Sequence, residues 1–263
     1  MTAVATWNVL HRVHAENYAS AMLDRWPAEA DRITGVTAEI AAMTEQVIAL
    51  QEVSGDQLAA LRAALPGGRT VHLLRYPRTP EPRRIPTQLD DRAEHLVLLL
   101  DGPGEAVAAE AFADAPGKGL LAVRTPDLLV VATHVSTGDD RRPGQLAHLA
   151  RVVAEAAGDG PAVLLGDFNA DRTVVAAELG PDFTVTALPA GAGPTRPREP
   201  GAPKSQWIDH VVVRGGLAGR DAAVRDVHGL SDHNPVRAVV GRPPSPVATS
   251  GRPSARPSGG SSP

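Results

Sequence analysis

Short apolar runs alternate along the chain with longer stretches whose apolar positions recur every three or four residues. The runs at 47–50, 96–100, 128–132, 162–165, 211–213 and 236–240 are brief, rich in Val, Ile and Leu, and flanked by polar residues, Gly or Pro. That pattern predicts buried strands. Residues 27–44, 56–65, 141–157 and 172–179 read as helices. In the third of these, Leu146, Leu149, Val152 and Val153 form one apolar stripe with Arg and Glu elsewhere. Pro66-Gly67-Gly68 stops the second. The alternation is that of an α/β protein, and no internal repeat is visible.

Two segments break the pattern. Residues 75–92 hold Arg75, Arg78, Arg83, Arg84 and Arg92 among four prolines, which predicts an extended or mobile basic loop. Residues 189–206 are rich in Pro and Gly and carry Arg196, Arg198 and Lys204.

Polar residues gather where the apolar runs end. Thr6-Trp7-Asn8-Val9 opens the chain, Gln51-Glu52-Val53 follows Leu50, and Thr133-His134 follows Ala132. Gly166-Asp167-Phe168-Asn169 follows Leu165, Asp209-His210 precedes Val211, and Ser231-Asp232-His233-Asn234 precedes Val236. Functional groups in α/β folds collect at one end of the strands, so six such clusters can converge on one pocket. Each has a plain alternative when taken singly. Asn8 reads as a turn residue, Glu52 as a solvated strand end, Asp167 and Asn169 as an Asx turn, and His134 as a structural histidine. His11 and His14 lie close behind Asn8, where they could face the site, but read more readily as ordinary surface histidines. Asp232-His233 is harder to set aside, with Asp209 available to orient the imidazole.

Taken together the set is oxygen-rich, and the histidines lack the paired spacing of a zinc helix. Hard oxygen ligands of the Asn, Glu and Asp kind select Mg²⁺ or Mn²⁺ over zinc. An ion of that kind, with an aligned water and donors to a phosphate, is what phosphoester hydrolysis requires.

Composition narrows the field. The chain has 263 residues and no cysteine, which removes disulfide scaffolds, thiolate metal sites and cysteine nucleophiles. No apolar run approaches about 18 residues and no secretory signal is visible, so a cytoplasmic protein is expected. Residues 242–263 contain six Pro, six Ser, three Gly, three Arg and no acid, which predicts a disordered tail after a folded part at 1–241. The whole chain has formal charge −4; without the three tail arginines it is −7. Such an acidic body argues against broad binding to nucleic-acid backbone.

The motifs Thr-Trp-Asn-Val (6–9), Leu-Gln-Glu-Val (50–53), Thr-His (133–134), Gly-Asp-Phe-Asn (166–169), Ile-Asp-His (208–210) and Ser-Asp-His-Asn-Pro-Val (231–236) resemble, in order and wording, the endonuclease/exonuclease/phosphatase superfamily with its deoxyribonuclease I-like fold. The resemblance implies a four-layer α/β sandwich, two packed mainly antiparallel sheets flanked by helices. It implies Asn8 and Glu52 as main metal ligands, with Asp232 near or on the metal. Asp167 would orient or deprotonate the attacking water, and His134 and Asn169 would donate to the phosphate. His233, partnered by Asp209, would stabilise the transition state; Asp167 and His233 both stand as candidates for general base. Residues 8–10, Trp26, Arg32, Glu39-Ile40 and 50–53 are similar to the nocturnin and deadenylase-type branch. One departure is Glu94-His95, where many members have Gly-Asn, and His95 is expected to alter a substrate contact.

The first reading is a Mg²⁺-dependent phosphoesterase for a nucleotide-like or other small phosphorylated substrate, with Arg84, Arg142 or Lys204 as candidate phosphate grips. The second is a nuclease acting on short RNA or DNA, although aromatic residues at 3% leave few stacking platforms. The third is an inactive binding module, which predicts a lost catalytic residue; none is missing. No membrane association and no obligate protein partner is indicated.

Overall fold

The computed structural model describes residues 1–198 and 204–243, so the expected tail lies, but for its first two residues, outside the described residues. In chain order the elements are β1 (Thr2–Asn8), α1 (Arg12–Tyr18), α2 (Met22–Arg25), α3 (Glu29–Ala41), β2 (Val47–Ser54), α4 (Gly55–Ala64), β3 (Arg69–Arg75), β4 (Glu94–Asp101), β5 (Glu105–Phe112) and β6 (Ala115–Arg124). They continue with β7 (Leu129–His134), α5 (Arg142–Ala157), β8 (Ala162–Asp167), α6 (Arg172–Leu179), β9 (Phe183–Val185), β10 (Asp209–Arg214), β11 (Ala218–Val224) and β12 (Val236–Gly241).

Two six-stranded sheets form, one in the order β11-β12-β1-β2-β4-β3 and the other β5-β6-β7-β8-β10-β9. Each is antiparallel except for one central parallel pair, β1 with β2 and β7 with β8. Helical crossovers make those pairs parallel: α1 to α3 link β1 to β2, and α5 links β7 to β8. Both sheets are mixed, and helices cover their outer faces.

Strand alternation builds the layers. In β4, Leu96, Leu98 and Leu100 enter the core between the sheets with Val163, Leu165 and Val211, while Val97 and Leu99 face the other way onto Val36, Ile40 and Leu61 of α3 and α4. In β8, Leu164 joins Leu146, Leu149 and Val153 of α5 on the outer side. This double burial is why the central strands read as unbroken apolar runs. Helix starts are capped as their sequences demand: Ser54 accepts from the Gln57 amide, and Asp171 accepts from Thr173 and Val174.

The four expected helices are present, as are the six expected strands. The sequence pattern missed α1, α2, β1, β3, β5, β6, β9 and β11. Of these, β3, β5 and β11 are edge strands that are only partly buried, so their apolar signal is diluted. Past Arg75, which closes β3, the 75–92 segment has no regular element, yet it is tied down: the Arg83 amide donates to Asn17, Arg92 pairs with Glu81, and the amides of Asp90 and Asp91 both donate to Asp56.

Candidate active site

The two parallel pairs end on the same side of the sandwich, and their last residues face one another. Asn8 closes β1, Glu52 follows on β2, His134 closes β7 and Asp167 closes β8. Sheet register sets His134 and Asp209 on either side of Asp167. Asp167 therefore sits at the centre. Its Oδ2 accepts from Asn8 Nδ2 at 3.1 Å, faces His134 Nε2 at 3.3 Å and lies 3.9 Å from His233 Nε2. Its Oδ1 accepts from the Asn169 amide at 2.9 Å. That last contact is an Asx turn, so the plain alternative for this motif and its place in the pocket are both realised. Asn169 adopts a positive φ of 49°, and its own side-chain amide donates to the Val135 carbonyl at 2.9 Å.

Glu52 reaches the pocket through a bulge. Leu50 pairs with Val97 and Val53 with His95, so Gln51 and Glu52 together oppose Leu96 alone. Glu52 takes a φ of 60°, a region costly for a residue with a Cβ, and this turns its carboxylate out of the helix-side alternation. Its Oε2 accepts from the His11 amide at 3.1 Å, while Lys118 Nζ and His134 Nε2 stand 3.8 Å from Oε1. Burial opposes ionisation of Glu52, but His14, Lys118, His134 and the His11 amide outweigh it and hold the carboxyl well below the usual range. Oε1 thus keeps its charge without a close hydrogen-bond donor, and Asn8 Oδ1 accepts only the Leu10 amide. Two hard oxygens with spare lone pairs fit a divalent ion such as Mg²⁺.

The loop before β12 completes the site. His233 Nδ1 donates to Asp209 Oδ2 at 2.9 Å, which leaves Nε2 aimed at Asp167. Burial would lower the His233 pKa, but Asp209, Asp232 and Asp167 push it up to about 10. Ser231 Oγ donates to the Asn8 carbonyl and accepts the His233 amide, and the Trp7 indole donates to the His233 carbonyl, so this loop is anchored on β1. Asp232 pairs through Oδ2 with Arg196 Nη2 at 2.9 Å; its Oδ1 is buried with no partner. Asp167, Asp209 and His233 form one close group of ionisable ligand atoms, and Asp232 is outside it.

Three expectations are corrected. His95 does not reach the pocket: alternation along β4 sends it to the opposite face, where Nδ1 lies 3.3 Å from the Val53 carbonyl, and Glu94 is the member of that pair directed inward. His11 and His14 are not ordinary surface histidines, because His11 is fully buried as the α1 N-cap and His14 contacts Glu94 at 3.2 Å. The cations at the pocket are Lys118 and Arg196, whereas Arg142 is held by Asp139. Lys118 stood in a weakly apolar stretch with no motif around it. Thr195, also missed, is buried, and its hydroxyl accepts from the amides of Ile208 and Asp209.

A profile of the endonuclease/exonuclease/phosphatase family matches residues 5–233, which contain every residue of this pocket. The chain belongs to the endonuclease/exonuclease/phosphatase family. With it the chain joins the hydrolases of phosphoester bonds. Solved structures of the same fold include an endonuclease/exonuclease/phosphatase from Bacteroides vulgatus, at 19% identity over 92% of this chain and 99% of that one, with a TM-score of 0.67. The mannosyl-6-phosphatase Bt3783 of Bacteroides thetaiotaomicron aligns at 17% identity over 91% and 99%, TM-score 0.63. ANGEL2, a 2′,3′-cyclic phosphatase, aligns at 14% over 90% and 94%, TM-score 0.66. No curated protein matches the chain by sequence. Among the described residues no helix is long and apolar enough to cross a membrane.

Proposed function

We propose that this member of the endonuclease/exonuclease/phosphatase family is a Mg²⁺-dependent phosphoesterase acting on a small phosphorylated substrate, nucleotide-like or otherwise. The observation that carries this reading is the convergence of Asn8, His134 and His233 on the buried carboxylate of Asp167, at 3.1, 3.3 and 3.9 Å. Asn8 and Glu52 would hold the ion, with Asp232 beside them; Mn²⁺ suits the same oxygens. When bound, the ion supplies Lewis-acid neutralisation of the phosphoryl oxygens.

The chain's own residues account for the remaining steps. Asp167 orients the attacking water and accepts its proton as the new P–O bond forms and the ester P–O bond breaks. It stays ionised because His134, His233 and Lys118 outweigh the burial that would protonate it. His233, fixed as a cation by Asp209, donates to the charge that develops on phosphorus oxygen. His134 and Asn169 donate to the non-bridging oxygens. Lys118 and Arg196 line the same space. Such a rim accepts an anion of low valency. The structural neighbours include a mannosyl-6-phosphatase and a 2′,3′-cyclic phosphatase, and also TDP2 complexed with a single-strand DNA product.

The test is phosphate or product release from sugar phosphates, nucleotides, a diester chromophore and short RNA and DNA, with Mg²⁺, Mn²⁺ or EDTA present. Turnover that needs metal and falls at least about 10²-fold in Asp167→Asn is expected. Preference for the polymers would move the assignment to a nuclease. No turnover with any substrate or metal would return the pocket to the binding-module reading.

A further inference from the structure

Behind the Asp167 pocket lies a second group of ligand atoms, of which the hydrolytic scheme uses only Glu52. His14 on α1, Glu52 on the β2 bulge and Glu94 at the head of β4 bring one ligand atom each within 4.8 Å of one another. His14 Nε2 and Glu94 Oε2 are 3.2 Å apart. Adjacent ligands around an ion with bonds of about 2.1 Å stand roughly 3 Å apart, so this pair already has ligand spacing.

Three buried polar atoms at this place have no partner. Glu94 is 2% exposed and its Oε1 is unsatisfied. His11 is 0% exposed, its ring centroid is 5.4 Å from that of His14, and its Nε2 is unsatisfied. Tyr76, whose amide donates to the Glu94 carbonyl, has an unsatisfied buried hydroxyl. A buried polar atom left unpaired costs about 1–3 kcal/mol, more when charged, and two neighbouring carboxylates add repulsion. Of these three atoms the Glu94 oxygen calls for a cation, which would satisfy it and relieve the carboxylate repulsion; His11, whose Nδ1 accepts the Val13 amide, presents its Nε2 as a donor.

We propose that His14, Glu52 and Glu94 form a second divalent-metal site, next to the hydrolytic one and sharing Glu52 with it. One imidazole with two carboxylates matches a first-row ion such as Mn²⁺ better than Mg²⁺, which prefers oxygen and retained water. His14 is a quarter exposed and opens a path from solvent. The proposal goes beyond the hydrolytic reading and shares only Glu52 with it.

Mn²⁺ titration of the whole chain, followed by the loss of the free-ion electron paramagnetic resonance signal, tests this without any activity measurement. Wild type is expected to take up two ions, Glu94→Gln and His14→Gln one each, with at least tenfold weaker uptake of the second. Excess Mg²⁺ should displace only the ion that these variants retain. Asn8→Ala separates the two claims: a single ion kept in Asn8→Ala and lost in Glu94→Gln supports this site and removes the hydrolytic one. Uptake unchanged in both Glu94→Gln and His14→Gln overturns the proposal and leaves His14–Glu94 as an ion pair. If Glu94→Gln does not fold, His14→Gln, at the partly exposed position, decides alone.

Discussion

Asp209 never faces the pocket directly, yet it fixes the residue that does. It accepts from His233 Nδ1, and its own backbone amide is pinned by the Thr195 hydroxyl, so the imidazole has one orientation available. Asp209→Asn is expected to lower kcat by about 10²–10⁴ with little change in KM. A fall in melting temperature with kcat preserved would reduce Asp209 to a structural role. His210, next along β10, works the other way: its ring points outward, Nε2 donates to the Ala170 carbonyl at 2.8 Å, and burial lowers its pKa. A histidine with a depressed pKa in the folded state leaves stability untouched above its ordinary pKa of 6.5. Below that pH the unfolded chain gains the proton first, and stability falls by at most about 1.4 kcal/mol per pH unit. Urea melts of wild type and His210→Gln between pH 7.5 and 5 should therefore converge as pH drops; parallel curves would remove His210 as the cause. At this scale the sequence was most legible where a motif supplied the residue, as for Asn8, Asp167 and His233. It misled at Glu94-His95, because which of two neighbours faces inward depends on strand parity. That parity is set by pairing with β2, some forty residues away.

Among the elements, the segments just beyond β1 and before β12 depend on one buried guanidinium. Arg32 of α3 donates to the carbonyls of Val9, Leu10 and Leu230 at 2.7, 2.9 and 3.1 Å, and to Glu29. Arg12 joins the same cluster through Glu16 and Glu29. Three carbonyls from two loops lose their donor if it is removed, so Arg32→Met should cost about 3–5 kcal/mol in denaturant unfolding and loosen Asn8 and His233 together. A loss below 1 kcal/mol would show that the loops hold themselves. Gly166 imposes a second constraint, since a Cβ there would overlap the Thr133 carbonyl of β7. Gly166→Ala should separate His134 from Asp167 and abolish turnover more than it lowers stability. The doubly buried strands were readable because both faces are apolar. The Glu52 bulge was not, because an extra residue in a strand leaves no compositional mark; it shows only as Leu50 and Val53 facing the same layer three residues apart.

Over the whole molecule, charge is distributed against the trend of composition. An acidic body carries Lys118 and Arg196 at the pocket, so attraction is concentrated there. A substrate with one phosphate should lose only about threefold in apparent affinity between 50 and 200 mM salt, whereas a polymer spanning several phosphates would lose far more. A steep salt series with short RNA would favour the nuclease. The sheet order carries a further consequence, for biosynthesis. The second sheet is built from one continuous stretch, β5 to β10, but the first waits for β11 and β12 to return and pair with β1, Val240 opposite Thr2. At roughly 5–20 residues per second, the edge of β1 stays open on the ribosome for on the order of ten to fifty seconds. His233 arrives with that same returning hairpin. On the role proposed for His233, turnover waits until β12 has emerged, and closure of the sheet and completion of the pocket are a single event.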